Sequence, residues 1–166
     1  METIFEYKLP QYLSFSGLQF EWLNKIETSN EPIIYLNKPK RSIGMTEFLV
    51  KFCIMKLFDE KSEHLRIVFI SPTLQMAYEV YRKFQKYFDN RQCIKTFNSK
   101  KIELKNGNSI MFSNQDPTRL RGYDFDWIVW DDSRLDMMTN GYFDFLEYVK
   151  YLKSKNGKVV EVLGYE

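Results

Sequence analysis

Pro32-Ile33-Ile34-Tyr35-Leu36-Asn37-Lys38-Pro39-Lys40-Arg41-Ser42-Ile43-Gly44-Met45-Thr46 is the stretch on which the fold turns. Pro32 to Leu36 is a short apolar run of the kind a buried strand needs. Asn37 to Ser42 is a polar, basic loop. From Thr46 to Phe58 the chain is apolar nearly all round, through Phe48, Leu49, Val50, Phe52, Cys53, Ile54, Met55 and Leu57, which marks a helix buried on most sides. Strand, loop and buried helix in immediate succession open an α/β sheet.

The alternation continues outward in both directions. Upstream, Leu18, Trp22, Leu23 and Ile26 have helical spacing over Leu18 to Glu27. Downstream, Leu65 to Ile70 reads as a second buried strand, Ser71-Pro72-Thr73 breaks it, and a helix is expected over Met76 to Phe88. Asn106-Gly107 between Ile102–Leu104 and Ser109–Phe112 is a hairpin signal. Ser113 to Asp126 reads as a loop, and Trp127-Ile128-Val129-Trp130 as another buried strand. Tyr142, Phe145, Leu146, Val149 and Leu152 mark an amphipathic helix, Asn156-Gly157 reads as its end, and Val159 to Leu163 as a last strand. The expected architecture is a three-layer α/β domain with a mostly parallel central sheet, a single domain over residues 1–166.

Composition removes several classes. With 44% hydrophobic residues the chain can bury a core unaided, so disorder is not expected. The 24 basic and 22 acidic residues leave a net charge of only +2, which by itself indicates no nucleic-acid footprint. Cys53 and Cys93 are too far apart to read as a zinc framework or a disulfide scaffold, and Cys53 reads as a core residue. His64, the single histidine, sits at the end of a charged loop and reads as a surface residue, with nothing around it to suggest a hydrolase triad. The amino terminus lacks a signal-peptide pattern, and no apolar run has the length of a membrane span, so a soluble chain from a reducing compartment is expected.

Ligands in α/β sheets bind where strands end at the carboxyl edge. The loop there compares with the phosphate loop Gly-x-x-x-x-Gly-Lys-Ser/Thr. Gly44 and Thr46 match its last glycine and its hydroxyl; Pro39 replaces the first glycine and Met45 the lysine. A helix start still offers free N–H groups and the positive end of a dipole to phosphate, and Thr46 still offers a hydroxyl to Mg²⁺. Lys38, Lys40 or Arg41 could fold back to supply the missing charge. A basic surface loop before an ordinary core helix fits the same residues. The second signal is Trp127 to Trp130 followed by Asp131-Asp132, the form of a Walker B strand. There the first acid serves the Mg²⁺ shell and the second orients the attacking water. A solvated strand end is the alternative. The two signals together, in this chain order, point to a P-loop NTPase of the additional-strand, RecA-like type.

Over almost the whole chain these residues resemble the ATPase domain of phage large terminases. Leu18-Gln19-Phe20-Glu21-Trp22-Leu23 is similar to the family's glutamine motif, which implies that Gln19 reads adenine. Lys40-Arg41-Ser42-Ile43-Gly44-Met45-Thr46 is similar to its variant phosphate loop, so Ser42, Gly44, Met45 and Thr46 would line the nucleotide and Arg41 would contact the γ-phosphate. Some members carry the working lysine early in the loop, where Lys38 or Lys40 stands here. Phe69-Ile70-Ser71-Pro72-Thr73 resembles the family's helicase-like segment. The hairpin at Leu104 to Ile110, followed by Pro117-Thr118-Arg119-Leu120-Arg121-Gly122, resembles the stretch before Walker B. There Arg121, or otherwise Arg119, would act on a neighbouring subunit's nucleotide, a surface charge being the alternative. Val159 to Gly164 resembles the strand that leads to the coupling motif, which this sequence does not complete.

The resemblance implies ATP and Mg²⁺ as cofactors, Thr46 and Asp131 as metal ligands, and Asp132, Arg41 and Arg121 as catalytic residues. It further implies double-stranded DNA as a partner and a ring of like subunits in function, with a lone monomer as the resting alternative. A viral portal or small terminase subunit would dock, with no membrane involved, and the site of action would be the cytoplasm of an infected host cell. The family's lid and nuclease regions have no counterpart in the sequence. Three departures point toward weak or lost turnover: Met45 for lysine, Asp132 for glutamate and the incomplete coupling motif. Two other readings remain open, a nucleotide-binding or DNA-binding viral assembly factor on the same fold with weakened chemistry, and a helicase fragment. Trp127 and Trp130 are expected in the core, and Tyr123 and Phe125 on a loop near the acidic pair.

Overall fold

The computed structural model describes residues 14–37, 44–59, 61–88, 94–133 and 139–163. Helix α1 (Gly17–Thr28) starts on a reciprocal capping box, in which the Gln19 N–H donates to Ser16 Oγ and the Ser16 N–H donates to Gln19 Oε1. Strand β1 (Ile33–Asn37) leads across the basic loop to α2 (Met45–Leu57). Strand β2 (Arg66–Ile70) leads to α3 (Leu74–Gln85), capped by the Thr73 hydroxyl. Strands β3 (Ile94–Phe97), β4 (Lys101–Leu104) and β5 (Ser109–Ser113) follow, then the single turn α4 (Pro117–Leu120), β6 (Phe125–Trp130), α5 (Thr139–Leu152) and β7 (Lys153–Leu163).

The strands form one sheet in the order β1-β7-β6-β2-β5-β4-β3. β1, β7, β6, β2 and β5 run parallel, and β4 and β3 add antiparallel at one side. The last strand of the chain thus inserts between the strand before the phosphate-type loop and the strand that ends in Asp131, the additional-strand arrangement. α1, α2 and α3 pack on one face through Trp22, Phe48, Phe52 and Phe84. α4 and α5 cover the other through Leu120, Phe145, Val149 and Leu152 against Ile70, Ile128 and Trp130. Helices on both faces explain why the central strands are continuous apolar runs rather than alternating ones.

Several sequence expectations change. Ile94–Phe97 forms an edge strand that was not expected: it is short, only half-buried, and pairs with β4 across a register irregularity. The stretch 113–126 is not all loop. Asp116 caps the turn α4 with Pro117 at its first position, a local signal present in the sequence. Asn156-Gly157 does not end a helix. The helix stops at Leu152, and Gly157 lies within β7, where a Cβ would come within 2.7 Å of the Phe125 carbonyl at the point where β6 and β7 slip register. Phe125 is not on a loop but opens β6 and is buried, with the exposed Tyr123 stacked on it at 6.0 Å. Trp130 is buried edge-on to Phe145, while Trp127 is partly buried against Phe52. Cys53 is a buried core thiol that burial pushes well above its ordinary pKa; Cys93 lies outside the described residues. His64 is exposed, and its ring lies over Gly107 where any Cβ would collide with it.

Candidate nucleotide site

The carboxyl ends of β1, β6 and β2 bring together residues that lie far apart in the chain. Gly44 has a φ of 85°, the left-handed conformation that costs glycine nothing, and this turns the chain into α2. The first turn of α2 then carries Thr46 over the end of β6. Thr46 Oγ1 donates to Asp131 Oδ2 at 2.9 Å across 85 residues of sequence. Asp131 is held in place by its own N–H, which donates to the Ile70 carbonyl at 3.0 Å, extending the β6–β2 ladder by one residue. Ser133, two residues on, is anchored to the other neighbour: its N–H donates to the Val162 carbonyl and its hydroxyl to Glu161 Oε2, at 3.0 and 2.7 Å.

Asp132 lies between these two anchors with a φ of 46° and is buried. A left-handed aspartate is uncommon, and such conformations concentrate at working sites. Gln19 stands behind the loop. Its Nε2 donates to the Gly44 carbonyl at 3.2 Å, and its Oε1 accepts from Lys51 Nζ at 3.1 Å. The glutamine that caps α1 therefore also braces the turn that opens α2.

A cleft of about 410 Å³ opens between α2 and α3. Gly44, Met45, Thr46 and Glu47 line one wall, Met76, Glu79, Val80 and Lys83 the other, with Ser71 and Asp131 at the base. That volume lies in the range of small-molecule sites. The Ser71 hydroxyl is buried and has no hydrogen-bond partner among the described residues, an arrangement that favours a polar ligand. Glu47 accepts from Lys83 at 3.0 Å and Lys86 at 3.4 Å. Burial would raise its pKa, but the two lysines outweigh that effect and hold the carboxyl below its ordinary value.

Thr46 and Asp131 fit Mg²⁺. Both offer oxygen, and among the described residues no group of three His, Cys, Asp or Glu forms a cage that could hold a metal unaided. Mg²⁺ characteristically takes one or two protein oxygens and completes its shell with phosphate and water.

The structure thus joins Gln19, Gly44, Met45, Thr46 and Asp131 at one edge of the sheet. Met45, the first residue of α2, borders the cleft but is 1% exposed and packs into the core, and its thioether brings no charge to the site. Arg119 and Arg121 are exposed on the connection between β5 and β6 and do not line the cleft. Lys38, Lys40, Arg41 and Ser42 lie outside the described residues, as does the chain beyond Leu163 where the coupling motif was expected. Glu47, Ser71, Glu79 and Lys83 were not picked out in the sequence as cleft residues. Glu47 beside Thr46 and Ser71 at the end of β2 stand next to positions that the sequence marks, whereas Glu79 and Lys83 arrive through the packing of α3. No helix among the described residues is long and apolar enough to cross a membrane.

No family model and no curated protein matches the sequence. Solved structures do match its fold. The large terminase of bacteriophage HK97 superimposes with a TM-score of 0.74 at 12% identity, covering 90% of this chain and 33% of that one. The large terminase ATPase domain of Thermus phage P74-26 gives 0.65 at 12% identity, covering 96% and 71%. A third large terminase, from a thermophilic bacteriophage and solved in complex with ADP, gives 0.64 at 12% identity, covering 90% and 39%. The chain spans only a third of the HK97 protein and well under half of the ADP-bound one. Over nine-tenths or more of its length the chain superimposes on the HK97 and P74-26 proteins, and it therefore has the fold of a phage large-terminase ATPase domain.

Proposed function

We propose that the chain is the ATP-binding and ATP-hydrolysing motor domain of a viral DNA-packaging terminase. The observation that carries this reading is the Thr46–Asp131 pair at 2.9 Å, at the carboxyl edge of a sheet of the additional-strand type. The ADP carried by a terminase of the same fold supports a nucleotide as the ligand.

The N–H groups at the start of α2 would bind the phosphates, with Gly44 keeping the turn open for them. Thr46 and Asp131 would hold Mg²⁺, which when bound neutralises charge on the phosphate oxygens. Asp132, fixed between the anchors at Asp131 and Ser133, would accept the proton of the attacking water. Gln19 would act from behind the loop, through Gly44, and the adenine would lie on its side of the site. Lys38 or Lys40 would supply the charge that Met45 lacks, Arg41 would contact the γ-phosphate and Ser42 would line the nucleotide. Arg121 faces outward, so its role would be toward a neighbouring subunit in a ring. Double-stranded DNA, and a portal or small terminase subunit, would be partners in the cytoplasm of the infected host.

A second reading has its own observation. Met45 lies in the core where a P-loop lysine would reach the phosphates, which favours an assembly factor that binds nucleotide with weakened turnover. One pair of measurements separates the possibilities. Mg²⁺–ATP at a hundred times its dissociation constant should raise stability by about 2.7 kcal/mol, and Thr46→Ala should abolish the shift. Phosphate release that disappears in Asp132→Asn supports the motor; a thermal shift without phosphate release supports the assembly factor. No thermal shift with any nucleotide would sink both and favour an assembly factor that binds DNA rather than nucleotide.

A further inference from the structure

Lys83 is the only cationic side chain among the described residues that line the cleft; Glu47, Glu79 and Asp131 supply three carboxylates. A triphosphate brought to this wall needs positive charge, and Met45 supplies none. We propose that Lys83, reaching across from α3, is a phosphate-binding residue of this chain: it leaves Glu47 when a nucleoside triphosphate enters and takes up the terminal phosphate.

The exchange is physically easy. Lys83 Nζ sits 3.0 Å from Glu47 Oε1, so the ammonium is already drawn across the cleft from α3 to the first turn of α2. The two side chains are 39% and 31% exposed, the regime in which an ion pair is weak and readily broken. Glu47 does not lose all compensation when Lys83 leaves, because Lys86 Nζ remains within 3.4 Å of the same oxygen. The four-carbon stem of lysine lets the ammonium swing without moving the helix. Lys83 lines the same cleft as Thr46 and Asp131, the pair that would hold the metal and with it the phosphates, whereas Gln19 does not line it. The unpartnered Ser71 hydroxyl at the cleft base is a further polar group waiting on that side.

This inference rests on the nucleotide-binding reading, and the test separates the two. The Mg²⁺ complexes of ADP and of the non-hydrolysable triphosphate AMP-PNP are titrated into the wild-type chain and its variants by calorimetry. Lys83→Met is expected to weaken AMP-PNP binding about tenfold or more while leaving ADP nearly unchanged, the loss of one charged hydrogen bond. Lys83→Arg is expected to restore most of the loss. Glu47→Gln, which releases Lys83 from its anchor, is expected to tighten AMP-PNP. A merely structural ion pair would give the opposite pattern, with both variants less stable and neither changing the preference for triphosphate over diphosphate. Wild-type binding with an unchanged ratio in Lys83→Met overturns the proposal alone. Loss of DNA affinity in that variant, with nucleotide binding intact, overturns it as well. A wild-type chain that binds neither nucleotide overturns it together with the reading beneath it.

Discussion

At the amino edge of the sheet, Asn108 is fully buried and its side-chain amide is well satisfied. Its Nδ2 donates to the carbonyls of Leu57 and Ser62 at 3.0 and 3.1 Å, and its Oδ1 accepts from the Leu65 N–H at 2.9 Å. One side chain thus ties the end of α2, the following loop and the entry to β2 to the hairpin turn. At the carboxyl edge the same helix and strands end differently. Among the described residues the buried Ser71 hydroxyl has no partner, Asp132 takes a left-handed backbone, and three carboxylates share a cleft with one lysine. Both edges are polar. One is closed on itself and contributes stability, whereas the other keeps polar groups available to a ligand and is stable in spite of them.

Substitutions can break or sharpen that contrast. The largest effect is expected for Asn108→Ala, which strands the buried Leu57 carbonyl together with the part-buried Ser62 carbonyl and Leu65 N–H and should cost about 3 kcal/mol in urea unfolding, with nucleotide affinity unchanged. If this variant unfolds at the wild-type midpoint, the amino edge does not carry the stability assigned to it. Thr46→Val keeps the shape of α2 but removes the donor to the buried Asp131, so a cost of about 1–2 kcal/mol is expected in the same measurement. The nucleotide-dependent shift should vanish with it, which separates the role of the carboxyl edge from that of the amino edge.

Glu47→Gln should cost less, and its cost should depend on pH. The Glu47 carboxyl is held below its ordinary value of 4.5 by Lys83 and Lys86 against the effect of burial, with Tyr87 facing the same group. A depressed carboxylate pKa contributes stability above the unfolded value and loses it as pH falls through the folded one. The gap in melting temperature between wild type and Glu47→Gln should therefore be open at neutral pH and close below 4.5; a constant gap would mean that the lysines do not stabilise the carboxylate. The smallest effect is expected for Ser71→Ala. Removing a hydroxyl that has no partner should leave stability within about 1 kcal/mol of wild type or raise it slightly, the reverse of Asn108→Ala. A clear destabilisation would show that the Ser71 hydroxyl is satisfied in the free protein.

Much of the fold was legible because its signals are local. The apolar runs at Pro32–Leu36, Leu65–Ile70 and Trp127–Trp130 announce β1, β2 and β6, although β1 is not buried on both sides as expected but lies at the sheet edge with Tyr35 exposed; the all-apolar α2 follows from the same short-range patterning, and Asn106-Gly107 announces its hairpin. Gly44, Thr46 and Asp131 could be named from motif spacing, since a strand end and a helix start fix where those side chains fall. The misses have the opposite character. β3 is a weak edge strand whose existence depends on β4. Gly157 resembles a helix stop until the bulged approach of β6 supplies its reason.

The sequence by itself therefore determined most of the elements, though not β3 or α4, their order along the chain and the two residues that face one another at the carboxyl edge. Only the tertiary structure decided that β7 slides between β1 and β6, that Gln19 braces Gly44, that Asn108 closes the amino edge and that Lys83 shares a cleft with Thr46. The physical reason is separation along the chain. Periodicity and turn chemistry act over a few residues and are written in the local sequence. A hydrogen bond from α1 to the α2 turn, or a lysine carried in by a second helix, exists only once the packing of whole layers has fixed how far apart those elements stand.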